Sequence, residues 1–471
     1  MTDLNIIINE GFCIGCGLCT YVTRGTVPIS LNTLGMYQVD LGRAVTLAAK
    51  ANEKILQVCP FSNEGLNEDL IGQKLFEGHC SYDSRIGYYK DLYIGYALEG
   101  EFRKKGTSGG VITWLLTELM KSGEIDAVAH VQKVDAPEDG VLFRYGISRS
   151  IEEVKRGAKS RYYPIEMSRV LEHIRKTPGR YAVVGLPCFI KAVRQLSEID
   201  PIIKERVTYC IGLVCGHLKS TGLSECFAWQ SNIEPGQLEE IDFRVKLEDR
   251  AASHYGVYMR GGGREEMKPV RGFMGGNWGH NLFRYPACDF CDDVFSETAD
   301  ISVGDAWLPQ YEQDSKGSSV IVLRNIELSQ LIKSAIEMGG VAFDESSAEK
   351  IGQSQAGGLR DRREGLAYRL WMKQSAQEWS PTKRIAPCRK GVSSQRQKLY
   401  RLRFKMGRES HQAWQKAKCD GNMDIFTSFF NKANVKYKKA YFTLRQRVKY
   451  SLSLVILRFA KKFSNYSAKK Q

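Results

Sequence analysis

The sequence has 471 residues, of which 43% are hydrophobic and 10% aromatic. This is enough apolar material for packed cores and excludes a wholly disordered chain. The net charge of +15 is uneven, because residues 381–471 hold 24 Lys and Arg against 3 Asp and Glu, while the rest of the chain is mildly acidic. Nucleic-acid binding by this acidic body is disfavoured. With no secretory signal at the N-terminus and no apolar stretch of about 18 residues, we expect a cytoplasmic protein without a transmembrane helix.

Four segments follow one another along the chain. Residues 1–75 are rich in turns and cysteines, and residues 85–205 alternate strand-like with helix-like runs. Residues 206–365 continue this alternation with glycine-rich loops, and residues 366–471 are basic and helix-like. The pattern predicts an α/β (mixed α+β) body with a small N-terminal unit and a basic helical C-terminal tail. Predicted strands are 93–98, 127–132, 181–186, 207–214, 301–303 and 320–323, and predicted helices are 111–120, 166–176, 189–196 and 223–230.

A first cysteine set lies in the N-terminal segment. Cys13, Cys16 and Cys19 have the spacing C-x2-C-x2-C, and Cys59 precedes Pro60. Four thiolates are what a [4Fe–4S] cluster needs, and Gly15 and Gly17 allow the backbone to approach the sulfurs. Two-cluster ferredoxins carry a fourth cysteine where this chain has Thr23, so the motif predicts one cluster. The alternatives are a zinc site or free cysteines.

A second cysteine set is dispersed along the body. Cys288 and Cys291 form C-x2-C, while Cys188 and Cys215 each stand at the end of a predicted strand. Because strand ends in an α/β sheet meet at the crevice where ligands bind, these four thiols predict a second metal site, with buried structural cysteines as the alternative. Cys210 is an alternative to Cys215 as a member of this set. The remaining cysteines, Cys80, Cys226, Cys388 and Cys419, are expected to be ordinary thiols.

A glycine turn precedes the predicted helix 111–120. Its residues Thr107, Ser108, Gly109 and Gly110 would expose backbone N–H groups at a helix N-terminus, which suits the pyrophosphate of a dinucleotide. A plain helix cap is the alternative. The basic stretch of Lys159, Ser160 and Arg161 would add a phosphate or ribose contact, or else form a solvated turn.

Taken together, these motifs resemble the family of coenzyme F-420 hydrogenase/dehydrogenase beta subunits, which is related to 7-hydroxymethyl chlorophyll a reductase. The resemblance covers roughly residues 10–365. It rests on the N-terminal cysteines, GTSGG at 106–110, KSRY at 159–162, GLPC at 185–188, GLVCGH at 212–217, CDFC at 288–291 and ISVGDAW at 301–307.

The resemblance implies an iron–sulfur flavoprotein oxidoreductase with two 4Fe-4S clusters and FAD. It divides the chain into a ferredoxin-like 4Fe-4S domain (1–75), an FAD-binding domain (85–205), a domain with the second 4Fe-4S site (206–365) and a basic helical tail (366–471). FAD would be held by residues 107–110 and 159–161. Asp305 would orient flavin or substrate, or act as a turn carboxylate. His217 is a candidate acid–base group, with a structural histidine as the alternative.

The implied partners are a small-molecule substrate and an electron donor or acceptor protein such as ferredoxin or a redox subunit. Two other functions remain open. One is a non-catalytic electron-relay subunit, linked to polysaccharide synthesis only because relatives occur beside such enzymes; the other is a zinc-stabilised binding protein. The tail has apolar residues at helical spacing over 441–463, surrounded by Lys and Arg. This predicts peripheral contact with the cytoplasmic membrane face, with docking on the body or a nucleic-acid contact as alternatives.

Overall fold

The computed structural model describes residues 4–40, 42, 49–135, 140–248 and 250–442. Strands alternate with helices through the middle of the chain, as the sequence pattern predicts. The strands are β1 Ile29–Leu31, β2 Tyr37–Val39, β3 Ser81–Asp83, β4 Gly87–Tyr89, β5 Asp91–Ala97, β6 Ala127–Lys133, β7 Phe143–Ser148, β8 Tyr181–Gly185, β9 Val207–Leu213, β10 Leu238–Val245, β11 Gly256–Gly261, β12 Arg264–Pro269, β13 Ile301–Asp305, β14 Ser319–Leu323 and β15 Val341–Glu345.

Helices account for most of the remaining regular structure. They are α1 Leu4–Asn9, α2 Leu18–Val22, α3 Ala49–Val58, α4 Glu68–Phe76, α5 Phe102–Lys105, α6 Val111–Lys121, α7 Ile151–Arg156, α8 Ser168–Lys176, α9 Pro187–Ile199, α10 Pro201–Arg206, α11 Gly222–Trp229, α12 Pro309–Glu312, α13 Ile326–Glu337, α14 Ala348–Ser354, α15 Ala356–Arg360, α16 Leu366–Ser375, α17 Ser394–Cys419 and α18 Met423–Tyr441. No helix in these described ranges is both long and apolar enough to cross a membrane.

The largest sheet has eight strands in the order β15-β5-β14-β13-β9-β8-β6-β7. Its centre, β13-β9-β8-β6, is parallel, and antiparallel strands flank it on both sides. The central strands are apolar on both faces because helices cover them, as the buried run Tyr181–Gly185 in β8 illustrates. The division between the segments 85–205 and 206–365 stays a prediction, and strands of both segments lie in this one sheet.

Each face of the large sheet has its own apolar core. On one face, α6 and α13 cover the strands through Trp114, Leu115 and Ile332. On the other face, α8 and α9 pack together with the N-terminal unit, whose Phe12 and Leu18 belong to the same core. The N-terminal cysteine segment is therefore docked on the helices that follow β7 and β8.

A second, three-stranded antiparallel sheet of β10-β11-β12 stands beside the large one. It shares a core with α11 and with the C-terminal hairpin, by which we mean α17 and α18. Trp414 and Phe426 of the hairpin stack edge to face with ring centroids 5.2 Å apart, and both pack on Phe283. This part of the predicted basic tail is thus helical and docked on the body, whereas residues 443–463, on which the predicted membrane contact depends, lie outside the described residues.

Candidate functional site

The N-terminal cysteines surround a small cavity with almost wholly apolar walls. Cys13 and Cys16 lie in the loop before α2, Cys19 lies in α2, and Cys59 follows α3. Burial is the main cause that raises the pKa of each of these four thiols. Cys13 and Cys59 add to the rise in the pKa of Cys19, which shows that these sulfurs lie close together.

Backbone amides point at the sulfurs of this first set. The N–H groups of Gly15 and Val39 donate to Cys13 and counteract the rise in its pKa. Gly15 and Gly17 have φ values of +68° and +85°, a region in which other residues are strained. A Cβ at Gly15 would lie 2.3 Å from the carbonyl oxygen of Tyr37, so only glycine fits this loop.

The dispersed cysteines also come together. Cys215, Cys288 and Cys291 each raise the pKa of Cys188, after burial as the largest cause. The prediction that Cys188 ends a strand is wrong, because β8 stops at Gly185 and Cys188 lies in the first turn of α9. Pro187 starts that helix since its fixed φ and missing N–H suit the first helical position.

Cys210 and Cys215 have different surroundings. Burial raises the pKa of Cys210 to about 11, and its charged neighbours are Arg194 and Asp300 rather than other cysteines. Burial raises the pKa of Cys215 to about 12, with further contributions from Cys288 and Cys291. Cys215 therefore belongs to the second thiol set, and Cys210 is a buried thiol of β9 that faces elsewhere.

The chemistry of these donor sets suits a cluster. Within the described ranges, no group of three or more His, Cys, Asp or Glu side chains is arranged as a metal-ion site. A tetrahedral zinc ion needs its thiolates within about 4 Å of one another, whereas a cubane cluster spreads them over four irons. Each of the two sets supplies four buried or half-buried cysteines, and four is the number of thiolates that a [4Fe–4S] cluster takes.

An arginine and a backbone amide contact the second thiol set. Arg362 donates to the carbonyl oxygen of Gly216 at 2.7 Å. Burial alone would lower the pKa of Arg362, but the nearby Cys291 and Cys215 more than offset this effect, so its pKa is raised. It lies in a π-helical turn, Asp361–Gly365, which interrupts the continuous run of α15 and α16 and is a geometry enriched at functional sites. The N–H of Leu218 donates to the Cys288 sulfur at 3.3 Å, an interaction that tunes cluster potentials.

A cavity of about 1260 Å³ lies at the ends of the parallel strands. Its walls include the glycine turn, the basic stretch 159–161, Cys215 and Asp305. The two predicted cofactor segments meet here, because Thr107 Oγ1 and Ser160 Oγ share a hydrogen bond of 3.0 Å. The volume exceeds that of an ordinary ligand pocket and leaves room for a dinucleotide beside a second molecule.

The residues of the glycine turn have different roles. Gly110 adopts φ +75° and starts α6, while Ser108 Oγ donates to the Ser318 carbonyl at 2.7 Å. The Gly109 N–H donates to Ser319 Oγ at 3.2 Å, and a Cβ at Gly109 would lie 2.7 Å from the Gly95 carbonyl oxygen. Gly109 thus allows close packing on β5 and, unlike its neighbours, is not part of the cavity wall.

Two predicted polar residues of the cavity are already ion-paired. Lys159 Nζ lies 3.0 Å from an Asp242 carboxylate oxygen, and Lys159 has a strained φ of +114°. Asp305 accepts a hydrogen bond of 2.6 Å from Arg244, which is buried and stacks over Tyr255. Arg161 donates to the Ala158 carbonyl, and its Nε has no protein partner.

His217 lines the same cavity. Its ring lies 4.5 Å from the Trp278 ring, and its Nε2 is buried without a hydrogen-bond partner. Burial, together with the nearby cations Lys219 and Arg284, lowers the pKa of His217 well below its usual value. A neutral imidazole is therefore favoured at pH 7, so His217 holds no proton that it could give as a general acid.

Sequence reasoning missed several cavity residues. Burial lowers the pKa of Lys219 to about 7, and its Nζ lies 4.9 Å above the Trp278 ring. Arg244 and Trp278 come from the three-stranded sheet and the loop that follows it. None of these three residues lies in a sequence motif, so the sequence alone did not mark them. Only Lys219 lies close to a motif, the GLVCGH stretch at 212–217.

Comparison with known proteins gives a consistent assignment. Residues 92–172 match the family model for the N-terminal part of the coenzyme F420 hydrogenase/dehydrogenase beta subunit, and residues 179–349 match the model for its C-terminal part. Both matches define a class of redox enzyme subunits. The chain belongs to the family of coenzyme F420 hydrogenase/dehydrogenase beta subunits, which confirms the resemblance in its motifs.

Several relatives are oxidoreductases or oxidoreductase subunits by name. A coenzyme F420-dependent sulfite reductase of Methanocaldococcus jannaschii is 26% identical over 74% of this chain, which spans half of that protein's length. One subunit of the F(420)H(2) dehydrogenase of Methanosarcina mazei is 24% identical over 64% of this chain and 78% of its own length. A chain of the F420-reducing [NiFe] hydrogenase complex of Methanosarcina barkeri aligns with a TM-score of 0.47 at 18% identity, covering 62% of this chain and 96% of its own.

Proposed function

We propose that this chain is an iron–sulfur flavoprotein oxidoreductase that moves electrons between two [4Fe–4S] clusters and FAD, and on to an organic substrate or a partner protein. One observation carries the proposal: the two thiol sets and the large cavity follow one another through the molecule. Cys16 of the first set is near enough to raise the pKa of Cys188 in the second. Cys215 of the second set is part of the cavity wall.

The residues of this chain would have distinct tasks. Cys13, Cys16, Cys19 and Cys59 would hold one cluster in the apolar N-terminal cavity, and Cys188, Cys215, Cys288 and Cys291 would hold the other. Bound clusters supply single-electron transfer and a bound flavin supplies two-electron chemistry, so the protein's contribution is to position and tune these groups. The buried N-terminal cavity would also exclude water and oxygen from its cluster.

The cavity wall supports FAD as the flavin. The backbone at the start of α6, the hydroxyls of Thr107 and Ser160 and the cation of Arg161 form one polar corner. N–H groups at a helix N-terminus favour a pyrophosphate, and the unpartnered Arg161 Nε is a donor for it. Arg244 holds the Asp305 carboxylate in place, so that Asp305 would accept a hydrogen bond from flavin or substrate.

Iron, sulfide and flavin content of the full chain, purified without oxygen, tests the proposal. We expect about eight irons and one FAD per chain, since each [4Fe–4S] cluster takes four thiolates. Cys188→Ser and Cys215→Ser should each lower the iron content to about four. Cys210→Ser is the matched control, because this thiol is buried in β9 away from the other cysteines and its loss should leave the iron content unchanged.

Other results would overturn parts of the proposal. Equal iron contents in Cys210→Ser and Cys215→Ser would remove the second thiol set from the mechanism. Zinc without flavin would favour the zinc-stabilised binding protein. Two relatives are subunits by name, which favours an electron relay as the second candidate. Turnover of organic acceptors by the isolated chain would exclude that relay.

A further inference from the structure

The C-terminal hairpin forms a wall of the large cavity. It lies outside the residues 92–349 that the two family models bracket, yet Arg403 of α17 and Asn434 and Tyr437 of α18 line the cavity. The hairpin contacts the turn Trp278–His280: the His280 ring lies 4.7 Å from the Tyr437 ring, and a Cβ at Gly279 would lie 3.4 Å from Arg403 Nη2. This wall therefore lies in a part of the chain that neither family model covers.

Two basic side chains, those of Lys219 and Arg403, flank the same turn without a carboxylate partner. Lys219 is 1% exposed, donates to the Leu282 carbonyl and lies over Trp278. In the described part of the chain it makes no ion pair. Arg403 donates to Tyr437 Oη at 3.3 Å, and the nearby carboxylate of Asp361 is already held by Arg284 and Arg369.

Polar atoms at this end of the cavity also lack partners. Arg403 Nε and Asn434 Oδ1 are buried and make no hydrogen bond within the protein. Buried polar atoms are nearly always satisfied, so the unpartnered Arg403 Nε calls for an acceptor and the unpartnered Asn434 Oδ1 for a donor. A ligand with an anionic group and a hydrogen-bond donor would supply both. Asp361, the carboxylate near Arg403, is already paired with Arg284 and Arg369, so the ligand would supply the negative charge.

We propose that Lys219 and Arg403 form an oxyanion subsite that binds a carboxylate or phosphate group of the substrate at the hairpin end of the cavity. The inference rests on the proposed function, because it places the substrate beside the corner assigned to FAD. The substrate class is an anionic organic molecule. Asn434 would accept a hydrogen bond from a hydroxyl or amide of the same molecule, and the Trp278 ring would cover its apolar part.

Calorimetric titration of the full, flavin-loaded chain with inorganic phosphate and, separately, with succinate tests this subsite. Loss of one charge-assisted hydrogen bond weakens binding by about tenfold or more. We expect that loss in Lys219→Met and in Arg403→Met for whichever anion binds. Lys398→Met is the matched control, because Lys398 is an exposed cation of the same helix outside the cavity, and its titration should equal that of the unaltered chain.

The possible outcomes separate this inference from the proposed function. Iron and flavin contents are measured on every sample, and a chain without flavin would contradict the proposed function whatever the titration shows. Tighter binding of phosphate than of succinate would identify a phosphorylated substrate, and the reverse a carboxylate, both supporting the subsite. No binding of either anion, or equal weakening in Lys398→Met and Arg403→Met, would overturn it. Arg403→Met decides the question if Lys219→Met fails to fold.

Discussion

Burial raises the pKa of cysteine thiols in both sets. Burial raises the pKa of Cys13, Cys19 and Cys59 in one set and of Cys188 and Cys288 in the other. These thiols stay protonated at neutral pH when no metal is bound, so cluster assembly must displace their protons. The amides that point at the sulfurs offset part of that cost, which is why the glycines of the first loop matter to the chemistry as well as to the fold.

A buried histidine in the cavity wall makes stability depend on pH. His130 bonds to Ser148 Oγ at 2.8 Å, and burial lowers its pKa from 6.5 to about 4. His130 takes up a proton near pH 6.5 in the unfolded chain but only near pH 4 in the folded chain. Its contribution to the free energy of unfolding is therefore complete above pH 6.5 and is lost as the pH falls toward 4. We expect the free energy of unfolding to drop by about 2 kcal/mol from this residue between pH 7 and pH 5.

Denaturant unfolding at both pH values measures that drop. His130→Gln keeps a hydrogen bond to Ser148 but does not titrate, so its free energy of unfolding should fall by about 2 kcal/mol less than that of the unaltered chain. Equal pH dependence in both chains would show that His130 is not buried as a neutral imidazole.

At the scale of elements, the segment before α17 ties the N-terminal unit to the body. Arg384 reaches Glu297 at 2.6 Å and Asp69 of α4 at 2.7 Å, and Lys383 reaches Asp292 at 3.1 Å. Glu297 and Asp292 are buried, and the side chains of Lys383 and Arg384 are only 5% and 9% exposed. Because charges in such a place are costly when unpaired, the segment fixes how α4 stands against the loop that follows Cys291.

Removing the guanidinium of Arg384 should therefore destabilise the protein strongly. Arg384→Met leaves buried carboxylates without a counter-ion, and we expect a loss of roughly 3–5 kcal/mol in the free energy of unfolding. Lys390→Met, at an exposed position of the same segment, should change it by less than about 0.5 kcal/mol. Similar values for the two variants in urea unfolding would mean that the ion pairs contribute no stability.

At the scale of the whole molecule, the second thiol set joins separate parts of the chain. Cys188 lies in α9, Cys215 follows β9, and Cys288 and Cys291 lie in and after the turn Pro286–Phe290. A cluster bound there would link three parts of the body, whereas a cluster on the first set would link parts of the N-terminal unit alone. Metal bound to the folded state stabilises that state.

Iron removal should thus lower the melting temperature of the chain. We expect a fall of several degrees after anaerobic chelation, since each lost cluster removes free energy that only the folded state gains. Cys188→Ser, which would keep one cluster, should melt between the iron-loaded and iron-free forms in differential scanning calorimetry. Identical melting of all three samples would contradict a structural role for the clusters.

The sequence predicts the four central strands of the large sheet well, because strands such as β8 are short apolar runs bounded by turn residues. The first thiol set also follows from local spacing. The second thiol set is predicted from strand ends and from the family resemblance, because Cys215 and Cys288 reach Cys188 through the topology of the sheet rather than through local spacing. The roles of Arg362 and Arg403 could not be predicted either. A π-helical turn directs Arg362 toward the cysteines, and the periodicity of α17 does not show which surface Arg403 faces.

Strand β5 has a consequence for the synthesis of the protein. Its two hydrogen-bonding neighbours, β14 and β15, are translated about 220 and about 245 residues after it. At roughly 5–20 residues per second, the ribosome takes on the order of ten to fifty seconds to deliver them. During that interval β5 is an apolar segment with both edges open, a template for aggregation. The nascent chain should therefore depend on chaperone protection until residue 345 has emerged, and ribosome stalling before that point would yield insoluble protein.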